Sequence, residues 1–574
     1  MKLLHLHNNF NLAGLMLKIL ILIFLTSCSS QKIDNPYQAY SKRYMISSQG
    51  PLSTKAAKKM FEKGGNAVDA AIALSFAISV ERPQSTGLGG GGFLLLKTPE
   101  EKTPYAYDFR EMAPQLSREK MYLDKQNKVV KGKSLNGPLS AGVPGLVAGL
   151  LTIHKKFGKL TLKEVLGPSI EIAEKGFKVY PHLAKAIKAR SKTLSRFPSS
   201  KKIFYRNGRP LRNGETLVQK DLGKTLRRIA KKGIKGFYYG TTAEKIAIEN
   251  QKAGGIITLQ DLAQYQVRLR KPVSGTFKGH KVYSMGPPSS GGIHVLQILN
   301  ILENDPLEKM GMGSPEAIHL ISSAMQLAFV DRARYLGDED FVRVPTKNLI
   351  SKKYAVALRK KINPLKANTF DSVKEKTPFP YESDETTHFT IMDAQGTVIS
   401  STQTINGWMG SGFVVPGTGI LLNNEMDDFA TKVGAKNLFG AVGGEKNLIR
   451  PGKRPLSSMS PTIILKNSRP VLALGTPSGT RILTCVAQTI LNYIEFKKPL
   501  FEAVSSTRFH HQWFPNEIRI GSSPFPKSTQ KQLINMGHKI RLKPLGCKVQ
   551  AIGLEKNILH GVSDPRGEGL SLGG

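Results

Sequence analysis

The sequence predicts an α+β protein, on three observations. Helical patterns with short turns run from Leu146 to Ala357, strand patterns stand outside that block at Phe93–Leu96 and His388–Ile405, and no repeat period links them. The one glycine-rich turn that matches the dinucleotide fingerprint, Gly87-Leu88-Gly89-Gly90-Gly91-Gly92, follows a helix and precedes a strand. Phosphate binding needs the reverse order, because the phosphate rests on the N-terminus of the helix after the turn. No nucleotide cofactor is expected.

The elements follow in order. Lys2 and Lys18 lead into the apolar run Ile19 to Leu25 and then Thr26-Ser27-Cys28, a stretch too short to span a bilayer and ending in small residues. It resembles a bacterial lipoprotein signal over residues 1–27, which implies that Cys28 is lipidated and anchors the chain to a membrane. Ser29 after the cysteine points by the same resemblance to the periplasmic side of the outer membrane. An ordinary secretory leader is the alternative, and Met16 with Leu17-Lys18-Ile19-Leu20 would itself make a compact leader. Residues 28–43 are polar and broken by Pro36, which suits a tether, and folding is expected from Tyr44. Ser53 to Lys63 reads as a helix closed by Gly64-Gly65, and Asn66 can cap a second helix with the small apolar face Ala67, Ala70, Ala71, Leu74. Gly286 to Gly292 is a rigid bend before the apolar helix from Ile293. From Asn363 to Asp384 the chain turns polar and proline-punctuated, which predicts an exposed, extended segment open to cutting. His388 to Asp393, a turn at Ala394-Gln395-Gly396, and Thr397 to Ile405 read as a β-hairpin, with Thr386 at its mouth.

The balance of 83 Lys+Arg against 42 Asp+Glu gives +41, a field that favours anionic partners in general. The basic residues are scattered, with no nucleic-acid motif, so they read as solvated helix faces and no nucleic-acid partner is expected. Cys28, Cys485 and Cys547 are too few for a disulfide framework, and the sequence leaves open whether Cys485 and Cys547 pair. Cys485 lies in an apolar helix pattern that suits a buried small residue. His510-His511 would point to opposite faces of a strand and has no third ligand at suitable spacing, so no metal is expected.

A threonine hydroxyl is a weak nucleophile until a base takes its proton. One such base is its own α-amino group, freed by cutting the preceding peptide bond and titrating near neutrality. A Thr-Thr pair opening a strand does not by itself establish that chemistry.

The stretches GGNAVDAA (Gly64 to Ala71), STGLGGGGF (Ser85 to Phe93), DFREMAP (Asp108 to Pro114), TTHFT (Thr386 to Thr390), LLNNEMDDF (Leu421 to Phe429), KRPLSSMSPT (Lys453 to Thr462) and RFHHQW (Arg508 to Trp513) resemble γ-glutamyltransferases, in that family's order, from about Ser48 to Arg566. The resemblance implies the N-terminal nucleophile hydrolase fold, an αββα sandwich formed jointly by a large part, 44–385, and a small part, 386–574. It implies that Thr386 attacks the carbonyl of Glu385, that the chain splits there into a heterodimer without metal or other cofactor, and that the freed Thr386 then attacks the γ-carbonyl of glutathione or another γ-glutamyl compound. The acyl group passes to water or to an amino acid or dipeptide acceptor.

The same resemblance assigns the site. Thr404 hydrogen-bonds the nucleophile, and the backbone of Ser478 and Gly479 forms the oxyanion hole. A γ-glutamyl end carries a free α-carboxylate and a free α-ammonium, so selectivity needs both signs of charge. Arg110 with Ser457 and Ser458 is expected to take the carboxylate; Glu425 and Asp428, helped by Asn406, the ammonium. This chain departs from the family at Ser478, where a glycine is usual, and at Phe439, where a tyrosine often sits on a lid; Phe439 can cover the site but cannot donate a hydroxyl bond. The alternatives are a β-lactam side-chain acylase of the same fold and a non-catalytic protein that binds γ-glutamyl compounds.

Overall fold

Two seven-stranded sheets lie at the centre, and every neighbouring pair of strands in them is antiparallel. The structure, a computed structural model, describes residues 35–368 and 386–574, with Tyr37–Gly574 as one compact unit. The leader with Cys28 and the residue Glu385 lie outside the described residues, as does most of the segment before Thr386. One sheet runs, in spatial order, Gln38–Ser41, Ile558–Ser563, Gln550–Glu555, Arg469–Gly475, Thr462–Lys466, His280–Ser284, Val273–Phe277. The other runs Leu570–Gly573, Tyr44–Ser48, Thr387–Asp393, Val398–Thr404, Gly91–Lys97, Tyr105–Asp108, Arg268–Arg270.

The sheets pack face to face, and each is covered outside by helices. Gly291–Leu302, Arg481–Ile490 and Leu500–Ser505 lie on the first sheet; Pro51–Glu62, Ala67–Glu81 and Leu146–Phe157 lie on the second. This is the αββα sandwich the resemblance implies. Alternation along Thr387–Asp393 places Phe389 and Ile391 in the apolar core shared with the helices. The residues that alternate with them face the other sheet: His388 lies against Gly475, with its Nδ1 2.8 Å from Thr402 Oγ1 of the neighbouring strand, and Thr390 Oγ1 donates to the Gln550 carbonyl at 3.3 Å.

The helix of small residues is capped as expected. Asn66 Oδ1 accepts from the backbone of Val68 and Asp69 at 2.9 and 3.0 Å, and Asp69 Oδ2 accepts from Asn66 N–H at 2.9 Å, a capping box that stabilises a helix by about 1 kcal/mol. Every residue of Ala67–Glu81 is buried, and the small side chains let it lie close to the sheet.

The tether expected over 28–43 needs correction. Gln38–Ser41 is an edge strand, paired with Ile558–Ser563, and Tyr40 stacks on His560 with ring centroids 4.2 Å apart. An edge strand with one wet face carries too few apolar residues to stand out from a polar linker.

Candidate active site

Thr386 immediately precedes the Thr387–Asp393 strand, whose register pairs Thr387 with Gln403. One step further the ladder sets Thr386 against Thr404, and their hydroxyl oxygens lie 3.3 Å apart. Asn406 N–H donates to Thr404 Oγ1 at 2.9 Å, which leaves the Thr404 proton for Thr386. Sheet register thus positions the hydroxyl pair.

Around it is a small cleft lined by Thr386, Thr404, Arg110, Asn406, Glu425, Asp428, Ser457, Ser458, Phe439 and Gly479, and also by Arg332, Asn437 and Thr480. Apart from Ser478, every described residue expected at the site reaches it. Arg110 follows the Tyr105–Asp108 strand, Glu425–Asp428 forms one short helical turn, and Ser457-Ser458 lies in the loop before Thr462–Lys466. The Arg110 guanidinium is 1% exposed; it is ion-paired to Glu425 and donates to Asp428 Oδ2 at 2.6 Å. Tyr265 Oη donates to its backbone carbonyl at 2.8 Å. Asp428 also accepts from Asn437 Nδ2 at 2.9 Å, and Asn406 Nδ2 donates to the Asn424 carbonyl at 3.0 Å. Burial raises the Glu425 carboxyl well above its usual range and pushes neighbouring Glu111 up to about 7. Asp427, likewise pushed to about 7 by burial, accepts from Ser134 Oγ at 2.6 Å and from Leu438 N–H at 2.8 Å, which fixes the segment carrying Phe439.

The family model described as Gamma-glutamyltranspeptidase matches residues 53–574. The chain belongs to the gamma-glutamyltranspeptidase family. It is 44% identical over 538 residues to the glutathione hydrolase proenzyme of Escherichia coli (strain K12), covering 93% of this chain and 92% of that one. Among solved structures, cephalosporin acylase from Bacillus halodurans matches with a TM-score of 0.81 at 27% identity, over 95% of this chain and 98% of that chain. A chain of Helicobacter pylori gamma-glutamyltranspeptidase matches at 44% identity and a TM-score of 0.54, over 55% of this chain and 91% of that chain.

Within this gamma-glutamyltranspeptidase-family chain, the two departures have structural accounts. Ser478 adopts φ +114°, a backbone state suited to glycine. Its side chain is tied back: Oγ donates to the Leu545 carbonyl at 2.5 Å and accepts from Arg481 Nε at 3.0 Å. Gly479, at φ +54°, touches Phe439 so closely that a Cβ there would run into the ring. Phe439 is 4% exposed and covers the turn by packing alone.

Cys485 and Cys547 form a disulfide, which joins the helix after the Ser478-Gly479 turn to the segment that anchors Ser478. His510 and His511 are engaged within the protein: His510 with Thr484 and Gln512 at 2.9 Å each, His511 Nε2 with Asn516 at 3.1 Å. Among the described residues no group of three or more His, Cys, Asp or Glu is arranged for a metal ion.

Sequence reasoning missed Arg332, Asn437 and Thr480. Arg332 sits in Asp331-Arg332-Ala333-Arg334 on the Pro315–Tyr335 helix, where alternating charge reads as a solvated face; no local signal marks it as buried.

Proposed function

We propose that this chain is a self-processing γ-glutamyltransferase and glutathione hydrolase with Thr386 as nucleophile. The observation that carries the reading is the convergence on Thr386 Oγ1 of an orienting hydroxyl and a grip holding both signs of charge. In processing, the Thr386 hydroxyl attacks the Glu385 carbonyl, the peptide bond becomes an ester, and water hydrolyses it. The products are a large part ending at Glu385 and a small part, 386–574, that stay together. The freed α-amine titrates near neutrality and serves as base.

In turnover that amine takes the Thr386 proton as Oγ1 attacks the γ-carbonyl of glutathione. Backbone N–H groups at Ser478 and Gly479 face the developing oxyanion, a contribution of about 3–4 kcal/mol per donor in comparable sites. The proton passes to the leaving amine of cysteinylglycine, and the γ-glutamyl ester is taken up by water or by an amino acid or dipeptide. Glu425, Asp428 and the Asn406 carbonyl oxygen suit an α-ammonium, whereas Ser457, Ser458 and the arginines suit an α-carboxylate. The relative named glutathione hydrolase proenzyme supports this substrate class. Lipidation at Cys28, after removal of residues 1–27, would hold the enzyme at the outer membrane, facing the periplasm.

A second reading, a β-lactam side-chain acylase, is favoured by the structural match to cephalosporin acylase. It does not account for buried acids placed to receive an ammonium. Intact mass and denaturing gels of the wild type and Thr386→Ala, with release of p-nitroaniline from γ-glutamyl p-nitroanilide, test the proposal. Two fragments meeting at Glu385-Thr386 and turnover are expected for wild type, one inert chain for the variant. A single chain in both would refute self-processing. Cleavage of a glutaryl anilide in preference to the γ-glutamyl one would favour the acylase.

A further inference from the structure

A cavity of about 300 Å³, the size of a small-molecule site, lies outside the cleft at Thr386 and shares no lining residue with it. Its walls come from the Pro181–Ala189 helix, from Trp408, and from the segments around Arg508, Leu545 to Lys548, and Arg566. The lining is lopsided in charge: Lys185, Arg508, Lys548 and Arg566 stand against one carboxylate, Glu568. The neighbouring groups do not restore the balance. Asp564 takes both Arg508 and Arg566, at 2.8 and 3.0 Å, and Glu568 turns to Arg82 at 3.4 Å. Those four cations and Arg82 thus surround two carboxylates, Asp564 and Glu568. A concave wall of one sign focuses its field into the cavity and draws in the opposite charge.

Hydrogen bonding points the same way. Donors address both ring nitrogens of His182: Lys548 Nζ lies 3.2 Å from Nε2, and Arg82 Nη2 lies 3.4 Å from Nδ1. A neutral imidazole accepts at one nitrogen only and a protonated one at neither, so this wall is richer in donors than in acceptors. The Trp408 indole, 5% exposed, supplies a flat apolar surface beside the charges, with Lys185 Nζ 6.0 Å from its ring centroid. An inorganic ion would meet the cations and leave that surface uncovered, whereas an organic anion meets both. The cations come from separate segments, which suits a ligand with more than one anionic group.

The same cavity backs onto the Ser478-Gly479 turn. Leu545 lines it, and the Leu545 carbonyl accepts from Ser478 Oγ at 2.5 Å and from Arg481 Nε at 2.7 Å. Lys548 N–H donates to Thr476 Oγ1 at 2.8 Å, and Cys547 is bridged to Cys485. A ligand that holds the 545–548 segment against Lys185 therefore holds the anchor of Ser478, whose φ of +114° has to be maintained by its surroundings.

We propose that this cavity is a second binding site, for a small organic anion carrying two or more carboxylate or phosphate groups, and that its occupancy steadies the Ser478-Gly479 turn. The effect on turnover rests on the γ-glutamyl reading above; the binding does not.

Binding is tested on the processed enzyme by Trp408 fluorescence in a Trp513→Phe background, since the chain has only these two tryptophans, and by calorimetry on the wild type. Citrate is the polycarboxylate probe, fructose 1,6-bisphosphate the phosphate-ester probe and acetate the control, all at one ionic strength because exposed charges are screened by salt. Citrate or the bisphosphate is expected to saturate a single site, the tighter of the two naming the anionic group, and acetate is not. Lys185→Gln combined with Lys548→Gln should weaken that binding about 10- to 100-fold, the range of a hydrogen bond to a charged group. Lys309→Gln, at an exposed lysine outside the cavity, should leave it unmoved. With the probe bound, kcat for γ-glutamyl p-nitroanilide should rise about fivefold, the low end of coupling between two sites, at unchanged KM. The double variant should lose that rise and keep its unliganded kcat. Should it fail to process, Lys185→Gln alone, at an exposed position, carries the comparison. No saturable binding of either probe, binding as tight in the lysine variants as in wild type, or a bound probe that leaves kcat unmoved would overturn the proposal. A wild-type enzyme that binds the probe but leaves γ-glutamyl p-nitroanilide intact would instead remove the proposed function, while the binding site stands.

Discussion

The hydroxyl pair and the charged grip share one cavity but are built by different means. Thr386 and Thr404 stand at the ends of neighbouring central strands, and a ladder from Thr387↔Gln403 to Met392↔Val398 sets their separation. Arg110, Glu425, Asp428, Asn437, Ser457 and Ser458 come from separate loops and turns, and Arg332 from a helix; they are held by bonds to one another. Register survives the loss of one side chain because the backbone carries it. A mutual charge network does not, because each member sets the protonation and position of the next. Substitutions in the pair should therefore change chemistry alone, and those in the grip should spread.

The largest expected effect tests the first half of that contrast. Thr404→Val keeps shape and register while removing the hydroxyl, and kcat is expected to fall about 10²- to 10³-fold, within the range for a group assisting proton transfer. KM and the melting temperature should stay near wild type, and Thr404→Ser should recover most of the rate. A melting loss equal to that of a core substitution would mean that the pair is structural.

Next comes Asp428→Asn. Arg110 then keeps Glu425 close by and Glu111 at 3.8 Å but loses the partner that also meets Asn437, and KM for a γ-glutamyl donor should rise about 10- to 100-fold. Combined with Ser458→Ala, the effects should be non-additive, as coupled groups are. Strict additivity would show the grip to be a set of independent contacts.

The pH dependence of folding sharpens the comparison around the Thr387–Asp393 strand. Burial holds His294, His388 and His538 at about 3 and His511 at about 4, below the ordinary 6.5. The unfolded chain takes up these protons as the pH falls through 6.5 and the fold does not. The stability they contribute is whole above that pH and is lost on acidification, by about 1.4 kcal/mol per group for each pH unit. The raised carboxyls of Glu111, Asp427 and Glu425 act in the opposite sense over the same range, so the histidine contribution is read from the difference between wild type and a histidine variant in thermal melts at pH 7.5, 6.0 and 5.0. His388→Gln should flatten part of the slope, since His388 lies between the sheets under the hydroxyl pair.

The smallest effect is expected at Ser478→Ala. It removes the bond to the Leu545 carbonyl, worth about 1 kcal/mol, and leaves the strained φ without its side-chain anchor. A loss in kcat of a few fold with KM unchanged would support the proposed oxyanion role of the Ser478-Gly479 turn; a change in KM alone would place the defect in the grip.

The same division governs what could be read from the sequence. The hairpin, its turn and the mouth position of Thr386 follow from period-two alternation, and Asn66 announces its helix through the capping box with Asp69. The motif residues around the cavity could be assigned through resemblance, since local pattern gave each an ordinary reading. Arg332 could not, because a helix of mixed charges looks the same whether one arginine is wet or buried; only the fold brings it against Ser290 and Ser458. The Gln38–Ser41 strand was hidden by its exposed face. The Cys485–Cys547 bridge depends on a meeting 62 residues apart in sequence.

The strand order carries a final consequence. A cut before Thr386 assigns Leu570–Gly573, Thr387–Asp393 and Val398–Thr404 to one product, and Tyr44–Ser48, Gly91–Lys97, Tyr105–Asp108 and Arg268–Arg270 to the other. Within that sheet Tyr44–Ser48 is clasped on both sides by strands of the other product, and the second sheet is likewise interleaved. The two polypeptides would be woven together, so parting them would mean unravelling both sheets. Dissociation and denaturation become one event, and partners should not be traded between molecules on mixing.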